Sequence, residues 1–185
     1  DFFKDSKIKF PAYEPWISND DKQIVNKALS QSMLTLGPQL EKFEKDFCKY
    51  SKSKYAVAVS NCTAALHLSL MALGIKKDDE IIIPDLTFVA DANAVLACNA
   101  KPVITDINQN NFFLSISNLK KNITKKTKAI IPVHIYGQVC NIEEILDVAK
   151  DNNLKVIEDC AHAVGTFHKS KHVGTLGNTG CFSFY

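Results

Sequence analysis

The chain has 185 residues, 46% hydrophobic and 23% charged, which is ordinary for a globular protein and enough for one sizeable core. Its 22 basic and 20 acidic side chains nearly cancel, so nothing points to a polyanionic partner such as nucleic acid. Six cysteines, Cys48, Cys62, Cys98, Cys140, Cys160 and Cys181, lack paired spacing and read as reduced thiols of a cytoplasmic protein; Cys160 with His162 alone does not make a zinc set, so no metal is expected.

The opening Asp1-Phe2-Phe3-Lys4-Asp5 carries acids and no sustained apolar run, unlike a signal peptide. Ser18 with Asp20 and Asp21 predicts a helix cap, and Ile24, Val25, Ala28 and Leu29 continue the helix to about Gln31. The turn Thr35-Leu36-Gly37-Pro38 leads to a second helix carrying Leu40, Phe43, Glu44 and Phe47 toward Tyr50. Tyr55 to Val59 reads as a buried strand and Thr63 to Leu73 as a helix with Leu66, Leu70 and Leu73 on one face. The apolar tract from Ala56 to Ile75 is about membrane length, but Ser60, Asn61, Thr63, His67 and Ser69 break it, so a membrane span is not expected.

Glu80 to Ile83, closed by Pro84, is the next strand, followed by a helix from about Thr87 to Cys98. Pro102 to Thr105, Ala129 to Val133 and Lys155 to Ile157 supply further strands, with helices near Ser115 to Asn122 and Ile142 to Asn152 between them. The doublets Lys120-Lys121 and Lys125-Lys126 read as a solvated helix end and turn, and His168 and His172, amid Lys169 and Lys171, as a solvated hairpin tip. Strands alternating with helices imply an α/β fold with a mostly parallel sheet. Residues 1–35 form an N-terminal segment with its helix, and 36–185 one domain. Gly174, Gly177 and Gly180 space out the last stretch, and Cys181 to Tyr185 looks like a strand stopped in mid-course, as in a polypeptide cut short.

Three places carry possible chemistry. Ser60-Asn61-Cys62-Thr63-Ala64-Ala65 joins a strand to a helix start, which suits a phosphate or, equally, a plain cap by Asn61 or Thr63. Phe88, after Pro84-Asp85-Leu86-Thr87, is either a cover for a flat ring or a core side chain. Asp159 ends an apolar strand where water is scarce, and a buried acid there requires a partner. A pyridinium nitrogen would serve, within reach of His162; a salt bridge or a cap for the segment starting at Ala161 would serve as well. His134 and Tyr136 also follow a strand and read as pocket lining or as scaffold. Cys62 has no evident base and is not assigned as a nucleophile.

Six blocks in order, Gly37-Pro38 with Phe43-Glu44, KYAVAVSNCTAALHLSLMALGI, DEIIIPDLTFVADANAV, TKAIIPVHIYGQ, VIEDCAHAVGT and GCFSFY, resemble the DegT/DnrJ/StrS family of sugar-nucleotide aminotransferases. The resemblance implies the large domain of the aspartate-aminotransferase fold, with pyridoxal 5'-phosphate as cofactor. Cys62 and Thr63 would occupy the phosphate turn, where the family usually has glycine or serine before the threonine, and Ser183 would be a second phosphate ligand. Phe88 would stack on the pyridine ring, Asp159 would bind its nitrogen, and His162 would stand near the phenolic oxygen where glutamine is common. Asp159 and His162 are thus the catalytic candidates within the chain, because the family's cofactor-bonding lysine would lie three residues beyond Tyr185.

The same resemblance implies that the rest of the large domain and a small C-terminal domain are missing, leaving the 185-residue chain inactive by itself. The implied reaction of the full protein moves an amino group from an amino acid, with glutamate as the expected donor, to a nucleotide-linked keto-deoxysugar for polysaccharide or lipopolysaccharide assembly. The alternatives are a pyridoxamine-phosphate-dependent sugar 3-dehydratase of the same family and a non-catalytic, ligand-binding or regulatory relative. The family's usual homodimer would bring Thr35 and Leu36 near an interface.

Overall fold

The structure, a computed structural model, describes residues 15–184; the reading of Asp1 to Asp5 and the final Tyr185 fall outside them. The chain divides into two compact units, 1–42 and 43–185, with the division inside helix α2. In the first unit, α1 (Asn19–Leu29) starts at a reciprocal cap: the Ser18 hydroxyl accepts from the Asp21 amide at 3.1 Å, and the Asp21 carboxylate accepts from the Ser18 amide at 2.8 Å. The helix stops short of Gln31, as the Ser30 amide closes onto the Asn26 carbonyl. Pro38 then opens α2 (Pro38–Ser51) at a position where its missing N–H costs nothing.

The second unit is built on five parallel strands in the order β2-β1-β3-β4-β7. These are β1 (Glu80–Pro84), β2 (Lys101–Thr105), β3 (Thr127–Ile130), β4 (Lys155–Asp159) and β7 (Thr179–Cys181), with the two-residue hairpin β5 (Phe167–His168) and β6 (Lys171–His172) apart from the sheet. Side chains alternate between the faces of a strand, and both faces are covered. On one face Ile81, Ile83, Ala129, Ile131 and Ile157 pack with α3 (Cys62–Ala72) and α4 (Ala90–Ala97) through Leu66, Leu70, Ala94 and Val95. On the other, Ile82, Ile130 and Val156 pack with α5 (Ile116–Asn122) and α6 (Ile142–Asp151) through Leu119, Ile142, Ile145 and Val148. This is why Ile81 to Pro84 of β1 read as an unbroken apolar run: every residue of the strand is buried. Among the described residues no helix is long and apolar enough to cross a membrane.

Four expectations need correction. Tyr55 to Val59 forms no strand: Ala56 and Ala58 are half-buried while Tyr55, Val57 and Val59 are exposed, and no ladder partner lies beside them among the described residues. The segment keeps a strand's alternation without its pairing, its Ala58 amide bonded to the Glu44 carboxylate at 2.8 Å. The terminal strand is Thr179–Cys181, not Cys181 to Tyr185, because Phe182 and Phe184 leave the ladder to meet the Phe47 ring, with centroids 5.0 and 5.8 Å away. α4 begins at Ala90, not Thr87, since the Thr87 hydroxyl is committed to the Asp91 carboxylate at 2.6 Å. His172 belongs to the expected hairpin but is buried, its ring nitrogens on the carbonyls of Val164 and Val173 and its faces against Phe47, Tyr50 and Phe167.

Candidate active site

Parallel strands bring their carboxyl ends to one edge of the sheet, and the loops that leave that edge are where an open α/β fold binds ligands. The order reverses at β1, whose neighbours are β2 on one side and β3 on the other. Four segments with sequence-predicted site residues emerge here: Asp85 to Phe88 after β1, His134 to Tyr136 beyond β3, Cys160 to His162 after β4, and Phe182-Ser183 after β7.

The last two residues of β4 are both acids and point to opposite faces. Glu158 is wholly buried, accepts from the amides of Gly174 (2.8 Å), Leu176 (2.8 Å) and Gly177 (2.7 Å), and lies 3.0 Å from His134 Nε2. Burial alone would raise its carboxyl, but His134 and the amides outweigh it and hold the group below the usual range. His134 is itself fully buried, with Nδ1 taking the Cys140 amide at 3.2 Å, so it serves as scaffold. The Cys160 thiol lies with these two groups, all three ligand-type atoms falling within 4.8 Å of one another, and not with His162.

Asp159 faces the α3 and α4 side and is in a different situation. It is 5% exposed, and among the described residues its carboxylate accepts one hydrogen bond, from the Ala161 amide to Oδ1 at 2.9 Å. Burial pushes its carboxyl up, with Ala161, His162 and His134 opposing. The capping alternative weighed from the sequence is therefore partly realised, yet it uses a single oxygen of the carboxylate.

α3 begins opposite. Asn61 is its cap: the side chain accepts from the Ala64 amide at 2.9 Å and the carbonyl from Ala65 at 3.1 Å. The Cys62 and Thr63 amides, in the first turn, are those Asn61 does not take, and a helix start offers such donors to an anion. The Cys62 thiol is raised far above its ordinary value by burial and then by the Asp159 charge, which removes it as a nucleophile at neutral pH.

Phe88 is 72% exposed, so it is not a core side chain. The His162 ring is stacked on Tyr136, centroids 5.7 Å apart and planes within 15°, and its Nδ1 accepts the Tyr136 amide at 3.3 Å. Tyr136 manages this with a left-handed backbone, φ 53°. Ser183 follows β7 at the same edge, half-buried.

Two residues escaped the sequence reading as site components. Asp91, in the first turn of α4, is fully buried, and its Oδ1 has no hydrogen-bond partner among the described residues. Its signal was an acid in the mostly apolar stretch ADANAVLA. Cys181, the end of β7, has its thiol pushed up to about 12 by burial, against a contact with Ser69 at 3.4 Å. Asp91, Cys62 and Cys181 each interact electrostatically with Asp159, and Cys62 and Cys181 pack in the cluster on the α3 and α4 side that Asp159 faces.

Residues 15–185 match the DegT/DnrJ/EryC1/StrS aminotransferase family, and the chain belongs to it. It is 43% identical over 176 residues to a GDP-perosamine synthase of Escherichia coli O157:H7, covering 95% of this chain and 48% of that protein. The crystal structure of an aminotransferase from Psychrobacter cryohalolentis superposes with a TM-score of 0.87 at 35% identity, over 93% of this chain and 45% of that one. The sugar aminotransferase Spr1654 of Streptococcus pneumoniae, described as putative and solved in a PLP form, superposes at 0.90 with 29% identity, over 95% and 49%. The chain therefore spans about half the length of the relatives it matches, it has the aminotransferase large-domain fold with a mostly parallel sheet, and its family's cofactor is pyridoxal 5'-phosphate.

Proposed function

We propose that the whole protein to which this chain belongs transfers an amino group from an amino acid to a nucleotide-linked keto-deoxysugar. The observation that carries the reading is Asp159: a buried carboxylate at the carboxyl end of a parallel strand, raised by burial and with a hydrogen bond at only one of its oxygens among the described residues. A protonated pyridine nitrogen is the partner that such a group lacks. When bound, pyridoxal phosphate supplies an electron-withdrawing ring that lets nitrogen pass between amino acid and keto sugar.

The chain's own residues fit that group. Asp159 would hold the ring nitrogen protonated, and the exposed Phe88 would cover the ring. The amides of Cys62 and Thr63, the Thr63 hydroxyl and Ser183 would take the phosphate, each charge-assisted bond contributing roughly 1.5–3 kcal/mol. His162, kept in orientation by Tyr136 and acting electrostatically on Asp159, would serve the phenolic oxygen. Burial of the Asp159 carboxylate excludes water, so its charge acts through a low dielectric. Glutamate is the proposed donor and a GDP-linked sugar the proposed acceptor, the latter from the name of the Escherichia coli relative. Exposed Met33, Leu34 and Leu36 support the proposed homodimer, and a role in surface-polysaccharide assembly in the cytoplasm follows from the same reading.

The test uses the full-length protein with pyridoxal phosphate, glutamate and a GDP-4-keto-6-deoxyhexose, followed by mass spectrometry of the sugar. An amino sugar with equimolar 2-oxoglutarate is the expected result. Loss of water from the sugar without nitrogen uptake would instead identify a dehydratase, and cofactor-free, unreactive protein a regulatory relative.

A further inference from the structure

Asp91 is the second residue of α4 and shares the sheet face of Asp159. Its side chain is fully buried, Oδ2 accepts the Thr87 hydroxyl at 2.6 Å, and Oδ1 meets no donor among the described residues. An ionised carboxylate so placed forfeits hydration worth several kcal/mol, while the first turn of a helix returns only about 0.3–1 kcal/mol. The titratable groups that act on it come from three neighbouring elements: Asp159 of β4, Cys62 of α3 and Cys181 of β7. All are neutral or negative, and none is a cation. Burial first, then the Asp159 charge, raise the Asp91 carboxyl to about 8, with Thr87 opposing.

We propose that Asp91 is a positioning residue that works as a neutral, proton-bearing acid behind Asp159, limiting the ring-binding pocket to a single negative charge. The inference rests on the assignment of Asp159 to the ring nitrogen. One fixed anion then matches one ring cation; a second anion would stand uncompensated in a pocket that must also accept a phosphate ester. When Asp91 does ionise, its proton leaves to bulk water and the pocket becomes a dianion.

Binding of pyridoxamine 5'-phosphate, which forms no covalent bond with the protein, tests this in the full-length protein and in Asp91→Asn. Asparagine has the shape of the protonated acid and cannot ionise. At about pH 7 the two proteins are expected to bind alike, and at about pH 9.5 the unmodified protein is expected to bind at least about threefold more weakly than the variant, beyond the ligand's own titration that both share. Parallel affinity curves would overturn the proposal. Absence of binding in both proteins would instead count against the Asp159 assignment, and carboxyl ¹³C NMR of the cofactor-free protein then decides the Asp91 question. One aspartate titrating near pH 8, and missing from the variant, is expected. If the variant does not fold, the unmodified protein suffices: aspartates all ionised by about pH 6 refute the inference.

Discussion

Glu158 and Asp159 are consecutive residues of one strand and carry the same functional group, yet the two sides of β4 treat them in opposite ways. Beneath the strand, three backbone amides and His134 surround Glu158 and hold its carboxyl low. Above it, Asp159 receives one amide, shares its face with the buried acid Asp91, and is held high. A carboxylate whose lone pairs are all used is structural; one left short of donors is poised for a ligand. The difference shows how one strand anchors a fold with one side chain and offers a binding group with the next.

The comparison is broken most directly at Asp159. Asp159→Asn in the full-length protein is expected to lower amino-transfer kcat/KM by about 10²–10⁴-fold, the equivalent of losing a buried ion pair to the cofactor. Because a raised carboxyl is a charge that the fold bears at a cost, the same variant without cofactor is expected to melt at or above the temperature of the unmodified protein. A lower Tm would show that Asp159 is structural after all.

On the other side, Glu158→Ala should destabilise by about 3–5 kcal/mol in denaturant titrations, since it orphans three amides and His134. The low Glu158 carboxyl also gives stability a sign with pH. Its contribution is complete above the unfolded value near 4.3 and is lost as pH falls through the lower folded value, so acid unfolding below about pH 4 should be blunted in Glu158→Gln. Equal acid sensitivity of the two proteins would refute the hub.

Smaller effects sharpen the picture. The loop held by Glu158 leads into β7, where a Cβ added at Gly180 would collide with the Gly174 backbone. Gly180→Ala should therefore cost about 1–3 kcal/mol by overpacking and shift the strand that precedes Ser183, measurable as lost stability together with weaker cofactor binding. Asn61→Ala removes the α3 cap and is expected to cost about 0.5–2 kcal/mol, with a thermal melt as the check.

Much of this was legible in the residues. The continuous apolar β1, the helices between strands and the acid closing β4 have local signatures, and the ordered motifs identified the family and its cofactor. The failures have physical causes. Tyr55 to Val59 has a strand's alternation, but a ladder needs a neighbour and alternation cannot supply one. His172 looked solvated because lysine flanks it, while the hairpin turns its ring into a nest of aromatic side chains brought from α2 and from Phe182 just after β7. Asp91 showed only as an acid in a mostly apolar helix, and nothing nearby in sequence revealed that it interacts with Asp159.

By itself the sequence determined the period of each element, the capping of α1, and which side chains stand at strand ends, because these depend on residues a few positions apart. Only the tertiary structure decided which acid is satisfied and which is held in want of a partner. Hydrogen-bond donors for Glu158 come from residues 174–177, and the charges that act on Asp159 come from separate elements. Burial and electrostatics depend on distance in space, and distance in space is fixed when the layers close.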